Sequence, residues 1–365
     1  MKIVIFGLTI TSSWGNGHAT LWRGLCKALC REGHSIEFFE RDEPYYAAHR
    51  DLHEGIHGRL VLYENWQAVK ADAAQSMRDA DAVIVTSYCP DACAAADMAL
   101  DINRGLRVFY DLDTPVTIER LSAGEPVDYL GPSGLRDFDL VLSFTGGGAL
   151  DELRRRLGAR NVQPLYGHVD PDVHRPVDPR QHYRSDLSYL GTYARDRQPV
   201  LENLFIAAAQ RRPHGRFLIG GAQYPQDFPW SANIYFVRHL PPGEHGAFYS
   251  SSRLTLNVTR RSMAQMGWCP SGRLFEAAAC GAAVVSDHWK GLDDFFRPGE
   301  ELLVAHDTDD VLAALDRDDA EIARVAKAGR ERVLDEHTSA HRARELCAIF
   351  ERAAQGSKVP QRVEA

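Results

Sequence analysis

Two doubly wound α/β domains of Rossmann type are what this sequence predicts, on three observations. The chain has 365 residues, more than one hydrophobic core usually supports, and 44% of them are apolar, enough for two cores. Short, nearly continuous apolar runs such as Ala82-Val83-Ile84-Val85-Thr86-Ser87 alternate with helical segments, the pattern of parallel strands covered on both faces. Around residues 164–180 the pattern breaks, and Pro164, Pro171, Pro176 and Pro179 fall among Asp170, Asp172 and Asp178, as in an interdomain linker.

Taken in order, Lys2 to Gly7 reads as a first strand, and Trp22 to Glu32 as an amphipathic helix with Leu21, Leu25, Ala28 and Leu29 along one side. Gly33 ends that helix where a C-cap glycine belongs. Strands follow at Ser35 to Glu40, Ala82 to Ser87, Arg107 to Asp111 and Leu140 to Phe144, with helical segments between. Beyond the linker a second series starts, with strands at Ser188 to Gly191, Arg216 to Gly220, Asn233 to Phe236, Leu254 to Val258 and Ala282 to Ser286. Helices fit Val200 to Ala209, Gly246 to Ser250, Arg273 to Ala279, Thr308 to Leu315 and one long stretch from Ala320 into the 350s. These elements set the expected domains at 1–167, joined by a C-terminal helix at about 338–354, and 168–337, with 355–365 as a flexible tail.

Composition narrows the function. A net charge of −8 argues against a nucleic-acid backbone as partner, which calls for clustered basic surface. No apolar run reaches about 18 residues, so no integral membrane contact is expected. The opening apolar run is too brief for a signal peptide and leads into Thr9, Thr11, Ser12 and Ser13, which points to a cytoplasmic protein. The seven cysteines are scattered without a C-x-x-C pair; Cys26/Cys30 and Cys89/Cys93 sit four apart, and buried thiols rather than a metal site are the expectation.

Three loops carry chemistry. Ser12-Ser13-Trp14-Gly15-Asn16-Gly17-His18-Ala19-Thr20 follows the first strand, and its glycines and the helix N-terminus suit a diphosphate. The dinucleotide fingerprint G-x-G-x-x-G fails there, because position 20 is Thr. His18 is a candidate base or hydrogen-bond donor, or else a structural histidine. In Leu190-Gly191-Thr192-Tyr193-Ala194-Arg195-Asp196-Arg197, a glycine turn followed by two guanidinium groups forms a phosphate clamp or two solvated surface arginines. The third unit runs from Cys269-Pro270-Ser271-Gly272-Arg273 through Glu276 to Gly281 and the strand ending at Ser286-Asp287. Glu276 stands on an otherwise small, apolar helix, where a carboxylate is costly unless partnered; a ribose diol is one such partner and Arg273, one turn earlier, another.

The third unit, continued by Trp289-Lys290-Gly291-Leu292-Asp293-Asp294-Phe295-Phe296-Arg297-Pro298-Gly299-Glu300-Glu301, resembles the donor-binding region of GT-B glycosyltransferases. Together with Ser13 to Thr20, Glu40-Arg41-Asp42, Asp111-Leu112-Asp113-Thr114-Pro115 and Leu256-Asn257-Val258-Thr259-Arg260, it resembles the CgeB-like group over roughly residues 1–350. The resemblance to these group 1 type enzymes implies two Rossmann-like domains facing each other across a cleft, a nucleotide-sugar donor, a small-molecule or glycan acceptor, and neither cofactor nor bound metal. It implies that Glu276 holds the donor ribose, that Gly191, Thr192, Arg195 and Arg197 grip the diphosphate, and that the backbone of His239 and Leu240 meets the nucleobase. Arg260, Ser271 and Arg273 belong to the same donor region, and Gly15, Asn16, Gly17 and His18 to the loop facing donor phosphates and acceptor. Asp111 and Asp113 end a strand, where they face the acceptor or else serve a helix-capping or structural role; their D-x-D spelling reads as coincidental. Many retaining relatives carry a second glutamate eight positions before the ribose one, and this chain has Trp268 there.

The expected function is therefore transfer of a sugar from a nucleoside-diphosphate sugar, independent of metal, with His18 or Asp113 as base if the reaction inverts. Alternatives are a non-catalytic sugar-nucleotide-binding or scaffold protein, a nucleotide-sugar epimerase of the same fold, and an NAD-dependent oxidoreductase that would use the first loop and Glu40. Acceptor contacts are expected from variable loops at Tyr45 to Trp66 and Thr114 to Gly134.

Overall fold

The computed structural model describes residues 1–52, 55–102 and 104–357. His53 and Glu54, within the expected acceptor segment Tyr45 to Trp66, and residues 358–365 of the expected tail lie outside the described residues. The chain divides into two compact units, Met1–Tyr166 with the segment from Ser339 onward, and Gly167–Thr338.

The first unit is built on a parallel sheet of seven strands, β1 (Lys2–Gly7), β2 (Ser35–Arg41), β3 (Arg59–Tyr63), β4 (Ala82–Thr86), β5 (Leu106–Asp111), β6 (Leu140–Ser143) and β7 (Val162–Pro164), in the order β3-β2-β1-β4-β5-β6-β7. β1 lies between β2 and β4, with Lys2 opposite Ser35 and Ile3 opposite Ala82. Its side chains divide between two cores by strand alternation. Ile3 and Ile5 pack with Trp22, Leu25, Leu346 and Phe350, while Val4 and Phe6 pack with Phe39, Val83 and Val85. The helix Ser339–Ser357 thereby closes one face of the sheet against the helix His18–Arg31.

The second unit repeats the design with β8 (Ser185–Leu190), β9 (Phe217–Gly221), β10 (Ile234–Arg238), β11 (Ser252–Asn257), β12 (Ala283–Ser286) and β13 (Leu303–Val304), in the order β10-β9-β8-β11-β12-β13. Its strands also run parallel, with Tyr189 opposite Leu256 and Leu256 opposite Val285. In both sheets the strand order reverses once, between β1 and β4 and between β8 and β11. Ligands of open α/β sheets bind outside the carboxyl ends of the strands at such a reversal. The loops after β1, β8 and β11 are therefore the places to look.

Several elements depart from expectation for visible reasons. The first helix starts at His18 rather than Trp22, because Asn16 Oδ1 accepts the His18 N–H at 3.1 Å and satisfies a first-turn donor. The long helix expected from Ala320 is two, Asp319–Glu336 and Ser339–Ser357. It breaks at His337–Thr338, where Val169 N–H donates to His337 C=O at 3.0 Å and Val169 bridges Thr338. Residues 355–357, expected in the tail, continue that last helix. Thr114 to Gly134, expected as a variable loop, opens with the helix Thr114–Ser122, whose Pro115 suits a first helical turn. The helix expected at Val200 to Ala209 spans 198–211 and widens to π geometry at Glu202–Ile206.

Candidate functional site

In the second unit, the loop leaving β8 passes very close to its neighbours. A Cβ on Gly191 would lie 2.8 Å from both Arg273 Nη2 and the Tyr189 hydroxyl, so glycine is what lets this backbone sit against the arginine. Gly191 N–H donates to Gly220 C=O at 2.9 Å, and the Tyr224 hydroxyl donates to Gly191 C=O at 3.0 Å. Gly221, at φ +153, would place a Cβ 2.0 Å from Gly191 O. Thr192 C=O accepts from Arg197 Nη1 at 3.3 Å, while Arg197 Nε is buried with no hydrogen-bond partner among the described residues. Arg195 opens the one-turn helix Arg195–Arg197 and is exposed. Arg260 Nε meets Asp196 at 2.9 Å, tying the loop after β11 to the loop after β8.

Asn257, the last residue of β11, gathers the third sequence unit. Its Oδ1 accepts from the Ser271 hydroxyl at 2.8 Å and from Arg273 Nη1 at 3.4 Å, and its Nδ2 donates to the Ser286 hydroxyl at 3.0 Å. Arg273, on the helix Gly272–Ala279, also lies over the Tyr189 ring, 5.3 Å from its centroid. At the end of β12, Asp287 accepts the Thr259 N–H through both oxygens, at 3.0 and 3.1 Å, and the Thr259 hydroxyl at 3.0 Å. Burial pushes the Asp287 carboxyl up to about 6 despite these bonds.

Glu276 is buried one turn beyond Arg273, and two histidines face its carboxylate. His174 Nε2 lies 3.8 Å from Oε1 and His245 Nδ1 3.6 Å from Oε2. Burial first, opposed by the Glu276 charge, brings His245 down to about 4, so that ring is neutral at pH 7. Leu240 is buried, and His239 sits in the left-handed region at φ 48 with its N–H on Gly221 C=O at 2.7 Å. Such a conformation is strained for a side chain and persists where surrounding contacts impose it.

In the first unit, the loop after β1 is held from several sides. Glu40, 1% exposed at the end of β2, accepts from the Thr9 hydroxyl (2.8 Å), Ile10 N–H (2.8 Å), Thr11 N–H (3.1 Å) and the Thr11 hydroxyl (2.6 Å). Asp51 accepts from Ser13 N–H at 3.1 Å and from Arg23 at 2.6 Å, and Arg23 Nε donates to Ile10 C=O at 2.8 Å. Asn16 spends its amide inside the loop, donating to Thr9 C=O at 3.2 Å as well as capping His18. Gly15 needs glycine for its φ of +62, whereas a Cβ on Gly17 would meet nothing within 4 Å. His18 is half-buried with its ring edge-on to Phe144, centroids 5.4 Å apart, and its Nδ1 is buried with no hydrogen-bond partner among the described residues. That burial lowers the ring to about 4. Asp113 accepts from the Tyr88 hydroxyl at 3.1 Å, and Tyr88 is itself held at φ 65. Asp111 is fully buried, and its Oδ1 accepts from Asp113 N–H at 3.2 Å and the Thr117 hydroxyl at 3.1 Å; burial raises its carboxyl.

Residues 197–348 match a family model whose description is Glycosyl transferase-like. Solved structures align over nearly the whole chain. The sucrose-phosphate synthase of Thermosynechococcus elongatus does so with a TM-score of 0.73 at 17% identity, covering 97% of this chain and 99% of that one. Anabaena Alr3699/HepE in complex with UDP and glucose gives 0.67 at 15% identity, covering 96% and 100%. An alpha-glucosyltransferase in complex with UDP gives 0.68 at 13%, covering 96% and 99%. The fold is GT-B. No curated protein matches the chain in sequence.

Within this GT-B chain the sequence-expected residues fall into distinct sets. Gly191, Thr192, Arg197, Arg260, Ser271 and Arg273 are brought together through Asn257, Asp196 and the Gly191–Arg273 approach. Arg273 directs its guanidinium to Asn257 and over the Tyr189 ring, while His174 and His245 face the Glu276 carboxylate. Glu40 has both oxygens saturated by the first loop and so presents none to a nucleotide ribose, which removes the structural basis of the dinucleotide reading. Trp268, eight positions before Glu276, stands at φ 42, with its N–H on Lys290 C=O at 2.7 Å. Among the described residues, two groups offer three ligand atoms within 4.8 Å of one another, His174/His245/Glu276 and Glu32/His34/Cys347. Cys26, Cys30, Cys89 and Cys93 are free thiols outside both groups. Sequence reasoning missed Asp51 and Arg23 as loop anchors and Asp287 as a buried acid at a strand end. Only the last had a signal, an acidic residue ending an apolar strand.

Proposed function

We propose that this chain is a CgeB-like GT-B glycosyltransferase that moves a sugar from a nucleoside-diphosphate sugar to an acceptor. One observation carries the reading. At the reversal between β8 and β11, a close-approach glycine and an arginine pair lie beside the helix Gly272–Ala279 with its buried carboxylate, Glu276. The Arg197 Nε, buried with no partner among the described residues, is a donor suited to a phosphate oxygen. Arg195 and Arg197 would stabilise the departing nucleoside diphosphate, where negative charge collects, and Glu276 would accept from the ribose hydroxyls. The UDP and UDP–glucose complexes of structural neighbours support a uridine nucleotide as the first donor to try.

The second part of the proposal is that the protein works in the cytoplasm without cofactor or metal; no helix of the described residues is long and apolar enough to cross a membrane. His18 and Asp113 are the candidate bases of an inverting reaction, and a retaining one needs neither. The test is release of nucleoside diphosphate from UDP-, GDP-, TDP-, CDP- and ADP-sugars, alone and with simple sugar acceptors. Turnover with one donor that survives EDTA and is lost in Arg197→Ala supports the reading. Binding without turnover favours a sugar-nucleotide-binding module, and interconversion of the sugar without transfer an epimerase.

A further inference from the structure

At the amino-terminal ends of β5 and β6, opposite the ends that carry Asp111 and Ser143, the first unit holds a cavity of about 730 Å³. Every residue lining it belongs to that unit. Its charged groups are Arg107, Arg136, Arg160 and Arg352, with Asp137 and Asp139. Arg107 is the one arginine already engaged by a carboxylate. Its Nε and Nη2 donate to the two Asp139 oxygens at 2.8 and 2.7 Å, and its N–H donates to Asp139 Oδ2 at 2.9 Å. Arg136 spends Nε on Ser133 C=O at 3.0 Å, and its two Nη groups have no partner among the described residues. The guanidinium groups of Arg160 and Arg352 make neither hydrogen bond nor ion pair among the described residues.

Four arginines against two aspartates leave an excess of two positive charges, on a chain whose net charge is −8. Single arginines scattered over a surface are solvated and carry no argument. Three uncommitted guanidinium groups lining one concavity repel one another, and an anion that enters relieves the repulsion. Guanidinium forks match phosphate oxygens in pairs. The volume lies in the range of small-molecule pockets, and Leu100 and Phe138 add an apolar wall for a carbon skeleton. We propose that this cavity is a second ligand site, separate from the loops after β1, β8 and β11, for an organic phosphate. Arg136, Arg160 and Arg352 hold its phosphoryl oxygens, while the Arg107–Asp139 pair, its fork occupied, frames the opening.

Titration calorimetry on the full chain with glucose 6-phosphate, fructose 1,6-bisphosphate and inorganic pyrophosphate is the test. Wild type is expected to bind at least one of the two sugar phosphates with one-to-one stoichiometry. Arg160→Ala/Arg352→Ala should weaken that binding about a hundredfold, at about tenfold for each charged hydrogen-bonding group. Arg160→Lys/Arg352→Lys keeps the charge without the fork and should weaken it about tenfold. Both side chains are exposed, so neither variant should shift the melting temperature. Arg197→Ala should leave the binding unchanged. Absence of binding to wild type, binding of pyrophosphate alone, or equal binding by the alanine variant overturns the proposal. Equal affinity of the lysine variant does so too, because diffuse charge then suffices. Loss in Arg197→Ala instead assigns the phosphate to the loop after β8, which overturns this proposal and supports the functional reading. No nucleotide enters the test, so failure of the glycosyltransferase reading leaves its outcomes intact.

Discussion

Asp287→Asn should stabilise this protein at neutral pH, against the usual direction of a buried polar substitution. Asp287 is 9% exposed and accepts three hydrogen bonds from Thr259, yet burial holds its carboxyl up to about 6, against 3.8 for the unfolded chain. A difference of about two units corresponds to about 3 kcal/mol at 1.36 kcal/mol per unit. Because the folded value is the raised one, the sign is fixed. Below pH 3.8 both states carry the proton and nothing is lost. Between 3.8 and 6 the unfolded chain releases its proton first and stability falls; above 6 the deficit stays constant. Asparagine removes the charge while its Oδ1 still accepts from Thr259, so up to about 3 kcal/mol returns at pH 8, less what the new amide N–H groups cost beside Asn257 Nδ2, now 3.5 Å from the carboxylate. Urea unfolding of both proteins at intervals from pH 4.5 to 8 is the assay. The gain should grow from pH 4.5 to 6.5 and then level off. A gain independent of pH, or a loss largest at pH 8, refutes the reasoning.

Glu40→Ala should destabilise by about 3 kcal/mol or more and free the loop 9–12, since four donors lose one buried carboxylate; urea unfolding and amide exchange read both, and a loss under about 1 kcal/mol contradicts it. Gly221→Ala should cost about 3 kcal/mol or more, because φ is +153 and the new Cβ would lie 2.0 Å from Gly191 O; normal stability would contradict that contact. Gly17→Ala, with φ −66 and open space, should change stability by less than about 0.5 kcal/mol while weakening nucleotide-sugar turnover if backbone approach matters there. If His18 is the base, kcat/KM falls in acid only through about pH 4, since the neutral ring must be present and burial keeps it neutral; a limb near 6.5 that His18→Gln abolishes would contradict its burial.

The fold was readable because its central strands are buried on both faces and so appear as apolar runs, as in Ile3 to Phe6 and Ala82 to Val85. The strands that escaped notice are those lacking that signal. β3 (Arg59–Tyr63) is largely uncovered at the sheet edge, β7 has three residues and β13 two. The break at His337–Thr338 carries neither Pro nor Gly; it depends on Val169, a tertiary contact no local pattern announces. In the site, Glu276 stood out as a carboxylate on an apolar helix, and Gly191 as a glycine after a strand. Their partners did not, because His174, His245 and Asn257 reach them only through the sheet order. Nor did composition reveal that Glu40 serves the first loop. A glutamate ending β2 looks the same whether it faces a ribose or accepts from Thr9, Ile10 and Thr11.

The most direct test of the central claim is a thermal-shift series with UDP, GDP, TDP, CDP, ADP and NAD on wild type, Glu276→Ala and Arg195→Ala. A ligand bound only by the folded state raises the melting temperature through linkage, by about 2.7 kcal/mol of stabilisation at a hundred times Kd. The account predicts a rise with one nucleoside diphosphate, foremost UDP, that both substitutions remove. A rise with NAD alone, or none with any nucleotide on the folded wild type, would contradict it.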